Sequence, residues 1–248
     1  MDIVFLGTGT STGIPQIGCN CKVCKSPNIK DKRLRASVVV TTGKKKILID
    51  CGPDFRQQLL SNNINDLSAI LLTHEHYDHI GGLDDLRPLG RTKLYAEKNV
   101  LAIIHRNMPY CFVEKKYPGV PTFELNEISE NPFLINDVTV QPIRIMHAKL
   151  AILGFRIGNF AYLTDVKTLD IKSIEQLNNL DVLVINALRI DEHISHISIA
   201  EALDLAKKIN ARQTYFTHMS HDMGLHDEVN MKLPRNIQLA YDGQTFTI

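Results

Sequence analysis

Residues 71–82 read LLTHEHYDHIGG, so His74, His76, Asp78 and His79 fall within six positions directly behind an apolar run. Imidazole and carboxylate are ligands for zinc, manganese or iron. Four such groups so close together exceed what one metal with an open coordination position takes, and they suit two ions sharing a site. On an extended backbone His74 and His76 share a side, whereas Asp78 and His79 can turn toward a second point. Gly81 and Gly82 then let the backbone pass close to a neighbour and start a helix. The plain alternative is a solvated polar loop after a strand.

A site for two metals needs ligands from elsewhere, each in a comparable setting. His147 closes the run VTVQPIRIMH, Asp165 follows FAYLT, and His218 follows QTYFT. Each is an ionisable group one step past a β-rich stretch, where layered folds expose side chains to a shared crevice. Asp50, at the end of KKILID, occupies the same kind of position, with a solvated strand-end carboxylate as the plain alternative. Cys19, Cys21 and Cys24 form a C-x-C-x-x-C cluster. Three thiolates call for a fourth partner to close a structural zinc tetrahedron. His221 is the candidate, and the alternative is a set of free thiols or a redox motif. Gly7, Gly9 and Gly13 have the wrong spacing for a dinucleotide fingerprint, and no Gly-Lys-Ser/Thr follows. They read as a tight turn after the first strand, bordering the cleft. His105 and His226 read as surface histidines, and Cys51 and Cys111 as core or loop residues.

The elements that must position these groups are short strands alternating with helices. Strands are expected at IVFL, ASVVVTT, KKILID, SAILLT, KLYA, VTVQPI, AILGFRI, FAYLT, DVLVI, QTYFT and QTFTI. Helices are expected at Phe55–Asn62, Lys98–Asn107, Ile171–Asn178 and Ser198–Ile209. In the last of these Ser198 and Glu201 are spaced as a capping box. Tyr110 to Pro121 is the least regular stretch and suits a lid or rim. Two sheets sandwiched between helices, in one domain over residues 1–248, account for the pattern.

Bulk composition sets further limits. The 248 residues carry a net charge of +1, so no global field recruits nucleic acid or an anionic membrane. No apolar run approaches the roughly 20 residues of a spanning helix. The start, MDIVFLGTGT, lacks a basic region before its apolar stretch and is not expected to be a secretory peptide. Five cysteines, an odd number with three crowded together, argue against a disulfide framework and for a reducing cytoplasm.

With these residues in place, THEHYDHIGG followed by a lone His, Asp and His resembles the metallo-β-lactamase superfamily. The resemblance runs from FLGTGTSTGIP through LIDCG to FTHMSH. Within the superfamily, GCNCKVC, HAKL, SHIS and THMSH are most similar to the phosphoribosyl 1,2-cyclic phosphate phosphodiesterases of phosphonate breakdown. The resemblance implies an αββα sandwich with two divalent metals, zinc or manganese, in the active site. It implies that His74, His76 and His147 hold one metal, that Asp78, His79 and His218 hold the other, and that Asp165 bridges both. It also implies a structural zinc on Cys19, Cys21, Cys24 and His221. His196, in DEHISHIS, corresponds to the family's proton donor, with His193 as the neighbouring alternative. The implied chemistry is attack by a metal-activated water on a small cyclic or diester phosphate. Rival readings are a tRNA 3′-processing endoribonuclease and a non-hydrolytic cofactor-biosynthesis protein of the same fold. The expected partner is a small phosphodiester, with neither membrane nor nucleic acid, and a homodimer is common for such folds.

Overall fold

The computed structural model describes residues 1–248. Its first sheet contains Asp2–Gly7 (β1), Ser37–Thr42 (β2), Lys45–Ile49 (β3), Ala69–Leu71 (β4), Arg91–Ala96 (β5) and Thr122–Glu127 (β6). The second contains Phe133–Ile135 (β7), Val138–His147 (β8), Leu150–Ile157 (β9), Phe160–Leu163 (β10), Val182–Asn186 (β11), Gln213–Thr217 (β12) and Ile237–Leu239 (β13). Thr245–Thr247 (β14) returns to the first sheet and pairs antiparallel with β1, giving the orders β14-β1-β2-β3-β4-β5-β6 and β13-β12-β11-β10-β9-β8-β7.

Three apolar layers explain why the sheets stack. Phe5, Val38, Ile49 and Leu71 from the first sheet meet Phe155, Tyr162, Val184 and Tyr215 from the second. The outer face of the first sheet (Leu48, Ile70, Leu94) packs on helices Phe55–Ser61 (α1) and Lys98–Asn107 (α3). The outer face of the second (Ile145, Leu183, Phe216) packs on Ile199–Ile209 (α5). Strands covered on both faces read as continuous apolar runs, as in SVVV and VLVI. The result is an αββα sandwich.

Strands β3 to β6 run parallel to one another, as do β10 to β13. Their carboxyl ends therefore emerge on common edges, and the segments that follow them converge between the sheets. The turn after β3 lies against the short helix Tyr77–Ile80 (α2), with Cys51 N donating to His79 O and Gly82 N to Cys51 O. A β-carbon on Gly82 would come within 2.1 Å of Gly52 O, so only glycine allows this approach.

The expected strands and helices are present with shifted bounds. Helix Ile171–Glu175 (α4) stops before the expected Asn178, and Ser198 caps α5 with Glu201 in the full reciprocal arrangement. The helix near the paired glycines begins at Tyr77, ahead of Gly81 and Gly82, and a 3-10 segment over Leu83–Leu89 follows them. β6, β7 and β13 were not read from the sequence, and the helix His226–Asn230 (α6) was read only as a helix start near His226. Of the stretch expected to be irregular, Tyr110 and Cys111 belong to a 3-10 helix, Pro109–Cys111, and residues 112–121 contain no helix or strand. No helix is long and apolar enough to cross a membrane.

Candidate metal centre

Strand ends bring together all seven residues singled out by type and position. His74 and His76 follow β4, His79 and Asp78 lie on α2, His147 closes β8, and Asp165 and His218 follow β10 and β12. Asp50, Asp165 and His218 have φ of 64°, 58° and 56°, in the left-handed region that costs free energy for any side chain. The chain turns sharply at each of these points, so the side chain points into the cleft instead of along the strand. The turn after β1 borders the site, because Met219 N donates to Thr8 O and Thr10 N to Met219 O. The glycine-rich stretch thus supports the His218 backbone.

The surrounding hydrogen bonds fix which nitrogen each histidine presents. Thr73 Oγ1 gives its proton to Asp50, at 2.9 and 3.0 Å, so it accepts at 2.9 Å from His74 Nδ1–H. His79 Nδ1–H donates to Asp50 Oδ2 at 2.7 Å, and His147 Nδ1–H donates to the Ser195 carbonyl at 2.8 Å. All three rings are left with Nε2 as the free donor atom. His74 Nε2 lies 2.9 Å from His76 Nδ1, and two lone pairs at that distance require a cation or proton between them. His74, His76 and His147 form one set of converging donors.

A second set is Asp78, His79 and His218, and His74, His79 and Asp165 converge between the two. His79 Nε2 stands 3.2 Å from Asp78 Oδ2 and 3.3 Å from Asp165 Oδ2. His218 Nε2 stands 3.5 Å from Asp78 Oδ2 and 3.4 Å from Asp165 Oδ1. Both Nε2 atoms are buried without a hydrogen-bond partner. Burial works against a charge on His79, yet Asp78, Asp50 and Asp165 overcome it and hold the ring well above the usual histidine range. Burial likewise opposes ionisation of Asp165, but His218 and His79 hold it well below the usual carboxylate range. The site demands positive charge at its centre, and its mixed nitrogen and oxygen donors fit a divalent ion of the zinc–manganese–iron class.

His196 reaches the site from the loop between β11 and α5. Its Nε2 lies 2.8 Å from Asp165 Oδ1, and Ser195 Oγ lies 3.0 Å from its Nδ1. Burial lowers the ring's pKa to about 4, against the hydrogen bond to Asp165. His193 sits one step further out, with its Nδ1 3.2 Å from Ser195 Oγ, and does not touch Asp165 directly.

The cysteine cluster is a separate site. Cys19, Cys21 and Cys24 place Sγ 3.3, 3.4 and 3.7 Å from His221 Nδ1. Backbone N–H of Cys24 donates to Cys21 Sγ and, with His221, lowers that thiol to about 6. Three sulfurs and one imidazole are the donor set of a closed structural zinc site. Cys51 and Cys111 are fully buried and take no part.

His226 is not the surface residue expected from the sequence. It is 2% exposed, and its Nδ1 accepts at 3.0 Å from Arg33, a buried guanidinium that also donates to Thr8 Oγ1 and Ala240 O. The misreading came from its helix-start position, which says nothing of a long-range partner. The Ser195 carbonyl and Thr73 were missed as well. A backbone carbonyl has no residue-type signature, and threonine at a strand end is commonplace.

The profile of the β-lactamase superfamily domain matches residues 45–219. An octanoyltransferase of Porphyromonas gingivalis is 47% identical over 249 residues, which cover 98% of this chain and 51% of that protein. The chain thus spans about half the length of that relative. A crystal structure described as a new diphosphatase from the PhnP family is 38% identical, covers 100% of this chain and 97% of that one, and superposes with a TM-score of 0.93. Zinc-bound PqqB from Methylobacterium extorquens covers 100% of both chains with a TM-score of 0.80, at 20% identity, a likeness of fold.

Proposed function

Since the chain belongs to the β-lactamase superfamily and is built as a metal-dependent hydrolase, we propose that it is a phosphodiesterase acting on a small cyclic or diester phosphate. A phosphoribosyl 1,2-cyclic phosphate is the leading substrate. The observation that carries this reading is the pair of converging donor sets with Asp165 between them and His196 on its open side. His74, His76 and His147 would hold one ion, Asp78, His79 and His218 the other, with Asp165 shared, and Cys19, Cys21, Cys24 and His221 would hold a structural zinc. Two divalent ions so placed lower the pKa of a water nucleophile and take up charge from a phosphate oxygen.

The remaining work falls to the chain's own residues. Asp50 fixes His79 and, through Thr73, His74, so that each presents Nε2. The Ser195 carbonyl does the same for His147. His196 holds a proton at Nε2 beside Asp165, where an ester oxygen leaving as an alkoxide can take it. The 38% identical diphosphatase of full coverage supports a small phosphate substrate.

Other readings have less support. A tRNA-processing nuclease needs a basic surface, whereas the net charge is +1 and the irregular 112–121 stretch offers only Lys115 and Lys116 beside Glu114. Acyl transfer, the activity named for the longer relative, would need a nucleophile in the cleft. Three of the thiols face His221, and burial pushes those of Cys51 and Cys111 up.

A panel of substrates tests the choice. Protein loaded with manganese or zinc is assayed on bis(4-nitrophenyl) phosphate, a ribose cyclic phosphate, a dinucleoside diphosphate, a 3′-extended tRNA precursor, a β-lactam and an octanoyl thioester. Turnover of the first two is expected. Cleavage of the tRNA precursor alone would move the assignment to the nuclease, and turnover of the thioester alone to acyl transfer.

A further inference from the structure

His218 is the one member of the second donor set that comes from the second sheet, and it holds a φ of 56°. Backbone in that region persists only where its surroundings over-determine it. On one side β12 does so. On the other, Met219 is fully buried and pinned between Thr8 and Thr10, and Ser220 N donates to Leu188 O at 2.8 Å. His221 follows, and its Nδ1 meets the sulfurs of Cys19, Cys21 and Cys24. The cysteine site therefore closes on the turn that aims His218.

The cysteines belong to an excursion over residues 15–32, which leaves and returns where Ile14 and Arg33 exchange two backbone hydrogen bonds of 2.8 Å. It holds one 3-10 helix, Ile29–Asp31, and no strand. Its apolar cluster has three buried members, Ile14, Val23 and Cys24, too few to order such a segment alone. The other contacts that hold it lie on residues 225–228. Leu225 packs on the cluster, and Asp31 accepts from His226 N at 2.7 Å. Asn28 donates to Asp227 at 2.8 Å, and Lys22 pairs with Glu228 at 3.2 Å. An ion held by the three sulfurs and His221 would order the excursion and the chain after His218 together.

We propose that occupancy of the cysteine site sets the affinity of the Asp78, His79 and His218 donor set for its ion, so that a thiophilic metal governs completion of the two-ion centre. This rests on reading both groups of donors as metal sites and is independent of the substrate. The route is the turn from His218 to His221. His74, His76 and His147 follow β4 and β8, outside that route. Coupling between two such sites is commonly about 5–150-fold, and each ion must tighten the other by the same factor.

Binding alone tests this, without turnover. Metal-free protein under reducing conditions is titrated with manganese, the free ion being read by electron paramagnetic resonance, with and without one equivalent of cadmium. Manganese favours the carboxylate-bearing cleft and the softer cadmium the thiolates, whose ultraviolet absorption reports its seating. His218→Ala identifies which of the two manganese constants belongs to the second set. In wild type that constant should tighten roughly tenfold with cadmium, and the other by less than about twofold. Manganese should tighten cadmium binding by the same factor. Cys21→Ser, checked for fold by circular dichroism, should keep the weaker constant whether or not cadmium is added, and the wild-type comparison stands without this variant. A second-set constant indifferent to cadmium seated on the thiolates overturns the proposal. So does an equal gain in both constants, which would mean a general stiffening of the fold. Cadmium seated away from the thiolates, or a single manganese bound in both states, would overturn the metal-site reading and the coupling with it.

Discussion

His196 lies where it could serve as proton donor, as phosphate ligand or as support for its loop, and the distance of 2.8 Å to Asp165 suits all three. The leaving group separates them. A sugar or alkyl oxygen is a poor leaving group and gains about 10²–10⁴-fold from general acid help, whereas nitrophenolate departs without a proton. An anionic phosphate bound beside the ring would favour its charged form, which burial otherwise disfavours. His196→Ala should therefore cut turnover of an alkyl or sugar phosphodiester by at least a hundredfold and that of a nitrophenyl ester by less than tenfold, with metal content unchanged. Equal losses on both would remove the donor role and leave phosphate binding or loop support. At this scale the sequence was largely legible, because His74, His76, Asp78 and His79 are crowded into one turn and His147, Asp165 and His218 repeat one setting. Asp50 was legible too, as an acid one step past an apolar strand. What escaped were Thr73 and the Ser195 carbonyl, which set the free nitrogen of His74 and His147 by contacts that residue types do not announce.

Among the elements, the long amphipathic helices and the buried strands could be read, since α5 repeats Ala202, Ala206 and Ile209 toward the core and carries its own cap. The helix over Tyr77–Ile80 is too short to show a period, and edge strand β6, half-buried along most of its length, shows no alternation. The segment Ile29–Leu34 is joined to α6 by a buried polar group that no local pattern reveals. Asp31 accepts from His226 N at 2.7 Å, and Arg33 donates to His226 Nδ1. Burial, together with Arg33 and Lys30, holds His226 down to about 4 against Asp227 and Asp31, below its ordinary 6.5. The folded state thus resists a proton that the unfolded chain accepts. The stabilising contribution is complete above pH 6.5 and fades as pH falls toward 4, for a loss of about 2–3 kcal/mol. His226→Gln, which keeps an acceptor for Arg33, should flatten this acid-side decline. Thermal melts of both proteins from pH 7 to 4.5 measure it, and parallel curves would exclude His226 as the cause.

Over the whole molecule, the donors come from both sheets: His74, His76, Asp78 and His79 from the first, His147, Asp165 and His218 from the second. An ion held between them would bind the folded chain and not the unfolded one. Chelation should then lower the melting temperature of one cooperative transition. Restoring zinc or manganese at a hundred times its Kd should return about 2.7 kcal/mol. A melting temperature indifferent to metal would mean that the sheets are docked without it. The αββα stacking was legible from the alternation of elements, while the order of strands was not, since β14 pairs with β1 from the opposite end of the chain. That division of donors between the sheets also sets an order of events in time. The set of His74, His76 and His147 is complete once His147 is made, whereas the set of Asp78, His79 and His218 waits for His218, so the two cannot fill together as synthesis proceeds. At about 5–20 residues per second, His79 is made roughly 7–28 s before its counterpart His218. An ion in the second set would therefore be chosen from the pool around a chain already made through His218, and the metal supply at that moment would help to decide which element is seated there.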